Sequence, residues 1–208
     1  MSTGICWARW LAAACAVVVL ALGGALVMLS IALSKAPAVP GPSSADAGFA
    51  RDMAVHHQQA VELSLIVRDR TDNEDVRRLA YDIVNTQANQ RGMLLGRLAA
   101  WGLPKSPQDA PMAWMGHHDM HHQQHEGALM PGMATSSQIE ALRRAKGTAA
   151  EVLYLKLLTE HHRAGVRMAR SGSILAKDPL VKELAASMRT GQQAEVELIE
   201  RLLERRGS

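Results

Sequence analysis

The sequence is poor in the residues that most often announce chemistry. Only 3% of its 208 residues are aromatic, so a core must be built from Leu, Ala, Val, Ile and Met. Its two cysteines, Cys6 and Cys15, both fall in the first apolar segment. The remainder therefore has neither disulfides nor thiolate ligands to use. No stretch after residue 40 alternates with period two and β-branched enrichment, which argues against strands. The net charge of +3 carries no dense basic run, so nucleic-acid binding lacks its electrostatic footprint. Gly-rich phosphate loops, dinucleotide motifs and nucleophile–base constellations are missing. Asp109, Asp119 and Glu126 form no acid/base pair, and no substrate is named.

What is present begins with an apolar run, "WLAAACAVVVLALGGALVMLSIAL", 24 residues from Trp10 to Leu33 without a formal charge. At about 1.5 Å of helix rise per residue, it exceeds a bilayer core of roughly 30 Å. Arg9 precedes it, and Trp7 and Trp10 suit the headgroup level. Cleaved signal peptides have an apolar region of only about 7–15 residues, so residues 1–35 read as an uncleaved signal anchor. Cleavage near "SKAPA" would instead give a secreted protein. Arg9 and the amino terminus, set against Lys35, bias the C-terminal bulk outward. Residues 36–45, with "APAVPGPSS", read as a Pro-rich tether.

The rest repeats itself. "HHQQAVELS" at 56 aligns with "HHRAGVRMA" at 161, and "VRRLAYDIVNTQ" at 76 with "VKELAASMRTGQ" at 181, at a constant offset of 105 residues. Phe49 matches Tyr154, and Leu98 matches Leu203. Asn73 and Asp178 are equivalent N-caps, the second followed by Pro179. Thr71 with Glu74, Ser137 with Glu140 and Thr148 with Glu151 offer capping boxes. These signals predict helices at about 46–69, 73–101, 137–146, 149–171 and 178–205. Two such hairpins, each with an apolar stripe it cannot bury alone, predict an all-α, four-helix bundle over residues 46–205. Its 102–136 connection is expected to be irregular.

Residues in the repeat carry a family resemblance. "FARDMAVHHQQAVELS", Gln87, the second "HHRAGVRMA" and Gln192 resemble the bacterial ferritin-like family of unknown function numbered 305. The resemblance implies an exported ferritin-like four-helix bundle. It also implies kinship with Met-rich copper binders, and Met53, His56, His57, Gln87, His161, His162 and Gln192 as the family positions. Leu158 and Tyr154 depart from the Met53 and Phe49 of the first repeat.

Adjacent helical residues point about 100° apart, so the two histidines of a pair are not expected to share one ion. Met53 and His57 share a face. His57 and His162, at equivalent positions, are expected to meet across a pseudo-twofold, with Gln87 and Gln192 approaching from the other helices. Two readings stay open for this layer: a metal site, or a hydrogen-bonded polar layer of His and Gln. A di-iron centre would need a Glu on two helices and Glu-x-x-His on the others, which Glu62, Glu160 and Glu195 do not supply.

The connection holds the densest signal. "MAWMGHHDMHHQQHEGALMPGM", Met112 to Met133, contains five of the eleven methionines and five of the nine histidines. Met112, Met115, Met120, Met130 and Met133 offer thioethers, which suit Cu(I). His117, His118, His121, His122 and His125 offer imidazoles for Cu(I), Cu(II) or Zn(II). Zinc explains the histidines but not the methionines, whereas copper explains both, so copper, as Cu(I), is favoured over zinc or iron. With Gly, Pro, Asp and Gln as neighbours, these methionines are expected to stay unburied and to bind independently of the bundle. A rival for the stretch is an unselective His-rich linker. The function expected is a membrane-anchored, extracytoplasmic copper-binding protein for sequestration or handoff to a copper-receiving or respiratory membrane protein. The alternatives are a structural accessory subunit of a membrane complex and a di-metal oxidase.

Overall fold

A computed structural model describes residues 3–34, 39–106, 109–116 and 127–207. Among them are six α-helices and no strand. The chain divides into two compact units, Met1–Val39 and Pro40–Ser208. The first is built on α1 (Thr3–Ser34), whose described side chains are exposed and mostly apolar, Val17, Leu20, Leu26 and Met28 among them. Among the described residues, no helix is long and apolar enough to cross a membrane. The expected anchor therefore stays a reading of the sequence.

The second unit contains α2 (Ala45–Arg68), α3 (Glu74–Ala100), α4 (Ser136–Arg144), α5 (Gly147–Leu175) and α6 (Pro179–Glu204). Helices α2 and α3 pack as one hairpin and α5 and α6 as another. The hairpins meet through α2 against α5, while α3 barely touches α6. A groove lined by Met93, Leu94, Leu180 and Leu184 opens along that loose edge.

Caps explain most of the boundaries. Ser44, Asn73 and Asp178 accept hydrogen bonds from the first turns of α2, α3 and α6. Three sequence expectations are corrected. Thr71 does not cap α3; it takes the backbone N–H of Asn73 and donates to Glu151. The capping box of α4 is Thr135 with Gln138, two residues earlier than Ser137 with Glu140. Glu151, drawn away to Thr71 and Arg206, leaves α5 to start at Gly147 without a side-chain cap. Helix α5 also runs past the expected end near 171. It continues through Gly172 because that residue lies against Phe49: a Cβ there would sit 2.6 Å from Phe49 Cδ2.

The 105-residue repeat reappears as paired contacts. Asp46 accepts the backbone N–H groups of Lys177 and Asp178, in the turn of the opposite hairpin. Its equivalent Glu151 reaches Thr71, in the turn of the first. The exchange of Phe49 for Tyr154 has a local reason. The Tyr154 hydroxyl lies 2.8 Å from that of Ser64, which burial would otherwise leave without a partner. Burial in turn pushes the Tyr154 pKa up.

The interior falls into two apolar clusters. One gathers Leu63, Ile83, Tyr154, Leu158, Ile199 and their neighbours and contains no methionine. The other contains Met53, Met112, Met115, Met130, Met133, Met168 and Met188. Every buried methionine among the described residues is thus on one side of the molecule's interior. The expectation that the connection's methionines stay unburied is overturned for four of them. Met112, Met115, Met130 and Met133 are each at most 8% exposed.

Candidate metal centre

Two staples on one face of α2 hold the ends of the connection against the bundle. At the first, Asp52 accepts the Met112 backbone N–H at 2.7 Å and the Trp114 indole N–H at 2.9 Å. Met112 adopts a left-handed φ of 68° there, a strained conformation for a side chain with a Cβ. Ala113–Met115 then form one 3-10 turn. Burial raises the Asp52 pKa, and the bonds from Met112 and Trp114 pull it back. At the second staple, Gln59 accepts the Ala134 N–H at 2.6 Å and donates to the Ala134 carbonyl at 2.9 Å. Positions 52 and 59 are two helical turns apart, so both staples lie on the same side of α2. Sequence reasoning missed both. The residues that anchor the connection are ordinary polar positions outside the Met/His-rich stretch, and no spacing rule singles them out.

On α2 the residues of the two clusters are separated by His56 and His57, which with His161 and His162 make a layer of four fully buried histidines. The pair that meets between hairpins is His56 with His161, not His57 with His162. Their rings stack at 3.7 Å between centroids and 29° between planes. His57 and His162 each turn toward the second helix of their own hairpin. There they find Gln90 and Glu195, which are also equivalent at the 105-residue offset. That offset was the signal that would have identified Gln90 and the role of Glu195.

The hydrogen bonds fix the tautomers. A carbonyl or carboxylate oxygen can only accept, so the ring nitrogen facing it must carry the proton. His57 Nε2–H donates to Gln90 Oε1 at 2.8 Å, His162 Nε2–H to Glu195 Oε2 at 2.8 Å, and His161 Nε2–H to the His56 carbonyl at 3.0 Å. In each ring Nδ1 is then left as a bare lone pair. All four Nδ1 atoms, with His56 Nε2, are buried without a partner. Burial and the neighbouring imidazoles hold His56 and His161 well below the ordinary histidine range. Burial pushes His57 down to about 4, against the upward pull of Gln90. These three rings stay neutral, the form that can donate electrons to a metal.

Gln87 and Gln192 enter the layer unequally. Gln87 Nε2 lies 3.4 Å from His162 Nε2, a nitrogen already committed to Glu195, and Gln87 Oε1 has no partner. Gln192 lies on the bare backbone of Gly165, where a Cβ would overlap its amide, and both its polar atoms are unpartnered. A closed His–Gln hydrogen-bonded layer is therefore not what forms. Of the carboxylates weighed for a di-iron centre, Glu62 pairs with Arg143 and Glu160 with Arg163 at the surface. Among the described residues, no three His, Cys, Asp or Glu side chains are grouped to hold a metal.

The expected ligands thus divide in three. Met53, Met112, Met115, Met130 and Met133 come together in one cluster. His56, His57, His161 and His162 form the layer beside it, Met53 lying one turn from His56 and His57 on α2. His117, His118, Met120, His121, His122 and His125 lie outside the described residues.

A family described as a domain of unknown function, DUF305, matches residues 46–203. A crystal structure from Streptomyces coelicolor, of a DUF305 protein described as secreted, is 53% identical. It covers 81% of this chain and 97% of its own, at a TM-score of 0.74. A DUF305 fragment from Deinococcus radiodurans is 27% identical over 81% of this chain and 99% of its own, at 0.65. CopM in its Cu(I)-bound form shares the fold at 18% identity and a TM-score of 0.58, over 77% of this chain and 96% of its own. No curated protein matches the sequence.

Proposed function

The chain belongs to the DUF305 family, and we propose that within it this protein is a membrane-anchored, extracytoplasmic copper-binding protein that takes Cu(I) for sequestration or handoff. One observation carries the reading. Three of the four buried imidazoles, those of His57, His162 and His161, have Nε2 tied back to an amide oxygen, a carboxylate and a backbone carbonyl, while their Nδ1 atoms are unpartnered. Metal-bound histidines are held in this way, the far nitrogen anchored and the near one free. A buried nitrogen left without any partner costs about 1–3 kcal/mol, so several of them in one layer ask for a ligand.

The metal preference comes from the neighbours. Thioethers with imidazole select soft Cu(I) over zinc or iron, and every buried methionine described lies in the cluster beside the layer. Cu(I) is content with few ligands, so the absence of a three-residue His/Asp/Glu group among the described residues is compatible with it. CopM, with the same fold, is known in a Cu(I)-bound form, which agrees with this assignment. The residues that would hold the ion are Met53 with His57 and the other layer histidines. The stapled Met112, Met115, Met130 and Met133 stand beside them, and His117, His118, Met120, His121, His122 and His125 are a second set of candidate ligands. When bound, copper would supply a soft electrophile; the chain's own contribution is to orient the rings, keep them out of water and hold His56, His57 and His161 neutral.

Residues 10–33 are proposed as the anchor and 36–45 as the tether, with the bundle outside the cytoplasm. The accessory-subunit reading is favoured by one feature, the apolar groove between α3 and α6. Elemental analysis of the full chain purified in detergent tests the proposal. Copper near or above one equivalent, with sulfur and nitrogen scatterers in its X-ray absorption spectrum, is expected. A protein that stays metal-free in copper-supplemented medium would sink it.

A further inference from the structure

The two repeats are alike in backbone and unlike in chemistry at two equivalent positions around a shared histidine. His57 and His162 match, but Met53 of the first repeat is Leu158 in the second, and Gln90 of the first is Glu195 in the second. The anchoring bonds have the same length, 2.8 Å, yet one acceptor is a neutral amide and the other a carboxylate. We propose that the duplication has diverged into two metal half-sites of different hardness. The Met53–His57 half takes a monovalent soft ion, and the His162–Glu195 half takes a divalent one. This rests on the reading that the layer binds metal through its free Nδ1 atoms.

Three physical arguments lead to the division. The first is charge. Both imidazoles are fully buried, and an ion placed beside them needs compensation there. Gln90 offers none, so a divalent ion would be left doubly uncompensated in the first half. Glu195 supplies a negative charge, which leaves a divalent ion in the second half with the same net charge as a monovalent ion in the first. The second is ligand softness. Met53 sits four residues before His57 on the same face of α2, giving a thioether–imidazole pair suited to Cu(I). Leu158 gives the second half no thioether at that place. The third is basicity. A carboxylate behind an imidazole strengthens it as a donor and holds its orientation, which favours a harder ion. Glu195 is also 22% exposed at its side chain, so the anion reaches water while the ring it backs does not.

The test uses the full chain in detergent with His117, His118, His121, His122 and His125 replaced by Asn and Met112, Met115, Met120, Met130 and Met133 by Leu, so that only the bundle's own imidazoles and thioethers remain. Ag(I) serves as a redox-silent monovalent probe and Cu(II) as the divalent one, each titrated separately, with circular dichroism to verify folding. Met53→Leu is expected to weaken Ag(I) at least tenfold and leave Cu(II) unchanged. Glu195→Gln should do the reverse. Two gain-of-function variants guard against trivial loss. Leu158→Met should add an Ag(I) equivalent, and Gln90→Glu should add a second Cu(II) signal in the electron paramagnetic resonance spectrum. If Met53→Leu and Glu195→Gln weaken both ions alike, the halves form one site and the division is wrong, although metal binding stands. If neither ion binds the parent of this series, the bundle assignment itself fails.

Discussion

Two glycines in the connection separate the energy of a left-handed backbone from the energy of docking. Gly127 and Gly132 both have positive φ, 87° and 77°. A Cβ on Gly127 would meet open space. A Cβ on Gly132 would overlap Ala164 Cβ and lie 2.7 Å from the Glu160 carbonyl oxygen. Neither neighbour can rotate away, because one is a Cβ and the other is backbone. Gly127→Ala should therefore cost only the left-handed conformation, about 1–2 kcal/mol. Gly132→Ala should cost that plus an overpacking term of roughly 1–3 kcal/mol. There is also a ceiling. Once the cost exceeds the docking energy of the segment, the segment leaves α5 instead. Docking is dominated by Met130 and Met133, 1% and 6% exposed, each worth roughly 1.5–3 kcal/mol when fully buried. The loss should then stop growing, and Gly132→Val should be hardly worse than Gly132→Ala. The assay is urea unfolding of the metal-free chain, with limited proteolysis across residues 127–134. Equal stability losses for Gly127→Ala and Gly132→Ala, without new cleavage, would refute the argument that this backbone is pressed onto α5.

Other outcomes follow from the same structure. The folded pKa of His57, about 4, lies below the ordinary 6.5, so the fold prefers the neutral ring. Its contribution is fully present above about pH 6.5 and is lost as pH falls toward 4, roughly 3 kcal/mol in all; denaturant midpoints of metal-free protein from pH 7.5 to 4.5 read it, and a flat profile contradicts it. Asp52→Ala leaves the Met112 and Trp114 N–H groups without their acceptor, at about 1–3 kcal/mol each if they stay buried. The Trp114 fraction of the fluorescence, taken by difference from Trp114→Phe, should move to the red, and an unmoved spectrum would count against the staple. Ser64→Ala and Tyr154→Phe each strand the other's buried hydroxyl and should each cost about 1–3 kcal/mol, with the double variant recovering part of the loss; simply additive costs would show that the hydroxyls have other partners.

How far the sequence could be read depended on what each signal encoded. The helices of the bundle were legible because periodicity and caps are local. Asn73 and Asp178 sit where a chain-only argument puts them. The end of α5 was not, because the place of Gly172 inside the helix goes with Phe49, which occupies its missing side chain's space, and that contact lies far away in the sequence. The histidine pairs were visible as a repeat, but which member faces inward was not. The answer depended on where α3 and α6 place Gln90 and Glu195. The largest misreading was the exposure of Met112, Met115, Met130 and Met133. Polar neighbours suggested a solvated loop, whereas two distant side chains, Asp52 and Gln59, fold its ends under. That is tertiary information, carried by positions whose local sequence says nothing about it.

The stack of His56 on His161 also bears on how the two hairpins choose their alignment. Helix faces made of Ala and Leu are smooth enough that sliding α5 along α2 by one turn, about 5.4 Å, would still bury apolar surface. The imidazole layer has no such tolerance. A slide would pull the stacked rings apart and take the His56 carbonyl away from the His161 N–H that it accepts. Polar groups in a core often cost stability and in return select one alignment among several near-equal ones. Here the same four rings act as a detent between the hairpins and as the donor set offered to an ion. Replacing them with well-packed leucines should therefore give a chain that is harder to unfold but free to settle in more than one register.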